Sequence, residues 1–154
     1  MYNKNSSAAV QGKSGEDRAE KLIKKYLKER KSKILVSKGS KNPVVNGKLG
    51  DILLHLQDEA PLIGIEIKTA SANYPDSISI SKFEMENSRA KWLMAFNVDK
   101  KLGCWVQKME IIKEHAVKKR GRVKEDVYFV SNPPVENRVS LNAMFDEIQV
   151  LFGE

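Results

Sequence analysis

Two carboxylates and one amine, Asp51, Glu66 and Lys68, stand in this sequence where apolar residues surround them. Asp51 opens the run Ile52-Leu-Leu-His-Leu56, and Glu66-Ile67-Lys68 closes a second run that begins at Leu62. Both runs are short and rich in branched aliphatics, with turn formers before them (Gly47, Gly50) and between them (Asp58, Pro61), so neighbouring buried strands are expected. Side chains alternate along a strand. Glu66 and Lys68 therefore share one face and Ile65 and Ile67 the other, while Asp51, at the start of the adjacent strand, can approach the polar pair. Charges buried in this way are costly unless they are paired or bound to a metal. Two oxygen ligands beside a lysine suit a hard divalent cation such as Mg²⁺, which keeps several waters and accepts phosphate oxygens. The plainer alternative is a structural lysine-carboxylate bridge beside a solvated third acid.

The elements that must position these residues follow from the rest of the pattern. From Ser14, a possible N-cap, the three-and-four spacing of Ala19, Leu22, Ile23, Tyr26 and Leu27 predicts a helix with one buried stripe. On that wheel Glu16 lies about 50° from the middle of the stripe and Glu20 about 90°. Glu16 is thus the acid nearer the core face, the alternative being that both acids simply satisfy the helix dipole. Lys21, Lys24, Lys25 and Lys28 form its outer face, a kind of run that is usually just solvated. A strand over 33–37 leads into a loop over 38–49, whose Lys38, Ser40, Lys41 and Lys48 are expected near phosphate oxygens. After a polar connection over 69–77, Ser81 and Glu84 make a capping box for a helix to about Ala90. Strands over 92–98 and 103–107, a helix over 109–119, a basic turn whose Lys118, Lys119, Arg120 and Arg122 are expected, like the loop, near phosphate oxygens, and a strand over 127–130 follow. Ser140 caps a last helix whose stripe of Leu141, Met144, Phe145, Ile148, Leu151 and Phe152 is expected on the core or on a second subunit. The sum is an α/β chain with a mixed central sheet flanked by helices.

A chain of 154 residues at 41% hydrophobic content is the size of one domain, expected over 14–154 after a polar tail at 1–13. Its net charge of +7 suits a polyanionic partner. Cys104, the one cysteine, sits in an apolar run and reads as a small buried hydrophobe. His55 and His115 are too isolated for a structural zinc site, although His55 shares strand parity with Asp51 and either lines the site or packs. No long apolar run suggests a signal peptide or membrane span, so a cytoplasmic protein without a membrane partner is expected.

The ordered set of Gly50-Asp51 and, fifteen residues on, Glu66-Ile67-Lys68 resembles the PD-(D/E)XK nuclease superfamily, with its restriction-endonuclease-like fold. Gly12, Gly15 and Glu16 upstream are similar to the first-helix opening of that superfamily's archaeal Holliday junction resolvases. Leu49-Gly50 stands where many members carry proline before the aspartate. The resemblance implies a Mg²⁺-dependent DNA endonuclease, with Mn²⁺ as a substitute. Asp51, Glu66 and the Ile67 carbonyl would hold the metal, Lys68 would orient water or stabilise the transition state, and Glu16 would hold a water or a second metal. It also implies a homodimer acting on branched or double-stranded DNA. The alternatives are a sequence-specific restriction-type enzyme, which needs base-contacting elements beyond the core, and a non-catalytic DNA-binding module on the same fold.

Overall fold

A computed structural model describes residues 7–39, 49–120, 126–131 and 139–154. The two apolar runs form strands β2 (Ile52–His55) and β3 (Ile63–Ala70), paired antiparallel with Ile52 opposite Ile65. Asp58, at φ 59°, supplies the left-handed residue of the turn between them. On one side β1 (Leu35–Lys38) adds antiparallel to β2. On the other, β5 (Trp92–Asn97) runs parallel to β3, and β6 (Cys104–Lys108) antiparallel to β5. The result is a five-stranded mixed sheet in the order β1-β2-β3-β5-β6.

Each face of this sheet has its own apolar layer. Helix α1 (Ser7–Glu29) lays Ala19, Ile23 and Leu27 on Ile52, Leu54, Ile65 and Ile67, with Leu22 and Tyr26 partly buried at the margin. Lys31, at φ 54°, closes the helix: its N–H bonds the Lys28 carbonyl while that of Ser32 reaches Leu27, a left-handed cap on a non-glycine residue. The last helix, α4 (Leu141–Leu151), completes this layer with Met144, Phe145 and Ile148, and Phe145 stacks on Tyr26 at 4.9 Å. Ser140 caps it, its Oγ accepting from the Ala143 N–H. The stripe considered for a subunit contact is divided: Met144, Phe145 and Ile148 are core of the single chain, Leu141 and Phe152 pack partly against it, and Leu151, with Val150 beside it, is exposed.

The opposite face is covered by a second, three-stranded antiparallel sheet, β4-β8-β7, built from β4 (Ser77–Ser81), β7 (Val117–Arg120) and β8 (Asp126–Ser131). Two short helices join it, α2 (Lys82–Asn87) and α3 (Met109–His115). Ile78, Ile80, Met109, Ile112 and Val130 pack there on Leu93 and Ala95.

Three expectations need correction. Residues 7–13, expected within a polar tail, belong to α1, so Ser14 lies inside the helix and does not cap it. Residues 77–81 form a strand where a connection into a helix was expected; in Ser-Ile-Ser-Ile-Ser only the isoleucines are buried, a period-two pattern. The helix from Met109 stops at His115, and Lys118, Lys119 and Arg120 stand on strand β7, not in a turn, because Val117 to Arg120 pair with β8. Among the described residues, no helix is long and apolar enough to cross a membrane.

Candidate active site

Gly50 and Gly64 determine how closely β2 can start against β3. Gly50 has φ 129°, and a Cβ there would lie 2.8 Å from the Ile65 carbonyl oxygen. At Gly64 a Cβ would lie 1.4 Å from the Leu49 carbonyl oxygen, so the backbones cross where no side chain fits. This crossing delivers Asp51 directly opposite Glu66: the Asp51 N–H bonds the Ile65 carbonyl at 3.0 Å, and Asp51 Oδ2 accepts from the Ile67 N–H at 2.9 Å.

The two carboxyl groups are joined by a hydrogen bond. Glu66 is buried, at 9% exposure, and Asp51 is half-buried. Burial, and after it the charge of Asp51, pushes the Glu66 carboxyl up to about 8. Asp51 is also raised by burial, but the Ile67 N–H and the hydrogen bond from Glu66 oppose the rise. Glu66 is therefore the proton holder and Asp51 the acceptor. One proton shared between two carboxyls in a weakly solvated notch is the arrangement that a cation displaces.

Lys68 follows Glu66 on the same face, and its charge lowers the pKa of both acids. Its ammonium pairs with the Glu84 carboxylate of α2. Glu84 was missed as a site residue because Ser81-x-x-Glu84 has a sufficient local explanation in the capping box. Half of that box is present, Ser81 Oγ accepting from the Glu84 N–H at 3.1 Å. The acid itself is turned to Lys68.

Glu16 enters from α1. Gly15 is buried against β3, where a Cβ would meet Thr69 Oγ1 at 3.3 Å and Ile67 Cγ2 at 3.7 Å, so the helix rests closely on the strand that carries the site. Arg18 holds the same end down, donating to the Asn97 carbonyl at 2.5 Å and lying 5.0 Å over the Phe96 ring. Half-buried Glu16 is raised by burial and then by Asp51, which makes it an electrostatic neighbour of the carboxylate pair. Glu20 instead faces Lys24 at 3.8 Å.

The residues expected to contact phosphate fare unevenly. Lys38 ends β1 and is ion-paired with Asp17, which raises the lysine and lowers the aspartate. Ser40, Lys41, Lys48 and Arg122 lie outside the described residues. His55 is not brought to the site: it stands at the far end of β2 from Asp51, about 13 Å along the strand, with its Nδ1 3.1 Å from the Leu56 carbonyl. Cys104, expected as a buried hydrophobe, is half-buried against the first core, and burial raises its thiol.

As a cation site the set is open. Among the described residues no three or more His, Cys, Asp or Glu side chains converge as a metal cage. Two carboxylates do converge, and the Ile67 carbonyl opens to the same edge as its N–H, as a strand residue's polar groups do. That donor set fits Mg²⁺, which takes one or two carboxylates and completes its shell with water and phosphate.

In sequence, no family model and no curated protein matches the chain. In structure, it is similar to a solved nuclease from a fusselovirus, with a TM-score of 0.63 over 99% of this chain and 98% of that one, at 12% identity. At that identity the likeness is one of fold, and it spans both sheets and all the helices described above: the chain folds as a mixed α/β domain of the kind that nuclease adopts.

Proposed function

We propose that the protein is a metal-dependent DNA endonuclease of the PD-(D/E)XK type, with its centre at Asp51, Glu66 and Lys68. The observation that carries this reading is the convergence of Asp51, held by the Ile67 N–H, on buried Glu66 across the β2–β3 pairing, beside an ammonium two residues on. The likeness of fold to a viral nuclease and the net charge of +7 support it.

Asp51, Glu66 and the Ile67 carbonyl would hold Mg²⁺, or Mn²⁺ in its place. Bound there, the cation supplies charge neutralisation at the scissile phosphate and a lowered pKa for the attacking water. Asp51 is oriented for this by the Ile67 N–H, and Glu66 gives up its proton as the pair opens. Lys68 stabilises the negative charge that grows on the phosphate oxygens. Glu16 accepts a hydrogen bond from water at the helix side of the notch. Lys38, Ser40, Lys41, Lys48, Lys118, Lys119, Arg120 and Arg122 are the proposed backbone contacts, which position DNA without reading its sequence.

The resemblance to junction resolvases extends the proposal to branched DNA cut by a homodimer in the cytoplasm. Met144, Phe145 and Ile148 of the α4 stripe are buried within one chain, which leaves Leu151 of that stripe and the adjacent Val150 as the exposed apolar residues proposed for the dimer contact. Sedimentation equilibrium with Val150→Lys tests that contact. A sequence-reading enzyme is less favoured, because the described residues after Lys108, in the segment that would read bases, go largely into the second sheet and the α4 core.

Labelled four-way junction, flap, duplex and single strand, each incubated with Mg²⁺ or with chelator, test the activity. Cutting of at least one DNA only with metal, and its loss in Asp51→Asn, is the expected result. Full activity in Asp51→Asn, or no cutting of any substrate, would overturn the assignment.

A further inference from the structure

Glu84 touches the site without a part in the mechanism above. It sits on a helix of six residues with no fully buried side chain, Met85 packing partly against the second core and Glu84 turned to Lys68. The pair joins residues sixteen apart on different elements, with the lysine side chain 19% exposed and the glutamate 35%. Its charge also reaches both members of the carboxylate pair, as does that of Lys68.

These charges compete. An ammonium on a flexible four-carbon stem, left without a partner of its own, would settle on the nearby carboxylate pair and neutralise it. It would then stand where a divalent cation is needed. The Glu84 carboxylate, paired with the ammonium, competes against that outcome and restricts the stem.

We propose that Glu84 is a positioning residue, which holds the Lys68 ammonium beside the Asp51–Glu66 pair but off it, leaving the carboxylates open to a divalent cation and the ammonium within reach of the phosphate. The role rests on the nuclease reading above. Its test has two readouts. In metal-free protein labelled with ¹⁵N-lysine, the side-chain NH₃⁺ correlation assigned through Lys68→Arg should be protected from exchange in the wild type and lost in Glu84→Gln. In Mg²⁺-dependent cleavage, Glu84→Gln should lower kcat by about tenfold to a hundredfold, the size of a charge-assisted hydrogen bond, with an unchanged KM for DNA. Glu84→Asp, which keeps the charge, should recover part of the loss, and on a Lys68→Ala background Glu84→Gln should cost nothing further. Unaltered melting by circular dichroism confirms that the variants fold. A cutting wild type with unchanged kcat in Glu84→Gln, or losses that add in full to those of Lys68→Ala, overturns the positioning role and leaves the nuclease standing. A wild type that cuts no DNA overturns the nuclease reading and this role with it. Persistence of the protected NH₃⁺ signal in Glu84→Gln overturns the clamp whatever the cleavage result.

Discussion

The two faces of β3 are buried to nearly the same degree and do opposite things. Ile67 is 8% exposed and Glu66 9%, one residue apart. On the isoleucine side, α1 and α4 close a continuous apolar layer, and each buried side chain there adds roughly 1.5–3 kcal/mol of transfer free energy. On the other side Glu66 lies beside Asp51 with Lys68 close by, and burial raises both acids, Glu66 to about 8. A fold assembled only for stability would fill that notch with an aliphatic side chain. Equal burial with opposite chemistry is the ground on which the second face is proposed as the ligand side.

The largest effect that would break this comparison is on the polar face. Glu66→Gln or Asp51→Asn should lower metal-dependent cleavage on the order of a thousandfold, while urea unfolding of the metal-free protein shows no loss of stability. On the apolar face the pattern reverses. Ile65→Ala removes a fully buried side chain and should cost about 2–5 kcal/mol in the same unfolding assay, with cleavage per folded molecule nearly unchanged.

A smaller effect sharpens the contrast through pH. The folded-state pKa of Glu66, about 8, lies above the ordinary value of 4.5, so between those values the native chain keeps a proton that the unfolded chain has released. This contribution to stability is fully present below about 4.5 and is lost as the pH rises through about 8. Thermal midpoints of the metal-free protein should therefore fall across that window, and Glu66→Gln should flatten the fall. The smallest effect is expected at the rim, where Asp17→Asn removes an exposed ion pair to Lys38; about 0–1 kcal/mol of stability should be lost, less at high salt.

The apolar face was legible in the sequence because its signals are local and repeated. The stripe from Ala19 to Leu27 and the two branched runs each identify a strand or helix with a known buried side, and the structure keeps those sides. Asp51, Glu66 and Lys68 were legible as interruptions of that pattern, and the strand register then brings Asp51 opposite Glu66. Other parts depended on long-range pairing. Nothing within residues 117–120 distinguishes a solvated basic turn from a strand; the partner, β8, makes the difference. The alternation in residues 77–81 was visible, but a strong capping signal immediately after it drew the segment into the following helix. Glu84 escaped notice for the same reason, since its local role at the helix start accounts for its presence and its ion pair is made sixteen residues away. The crossing of Gly64 over Leu49 likewise belongs to the tertiary structure alone.

The central claim, that Asp51 and Glu66 hold one shared proton in a notch kept for a divalent cation, is tested most directly by calorimetric titration of Mg²⁺ into the metal-free protein at neutral pH, in two buffers of different ionisation enthalpy. Binding should release about one proton per cation as the metal displaces it, and both binding and release should disappear in Glu66→Gln. Absence of saturable binding, or equal binding without proton release in wild type and Glu66→Gln, would contradict it.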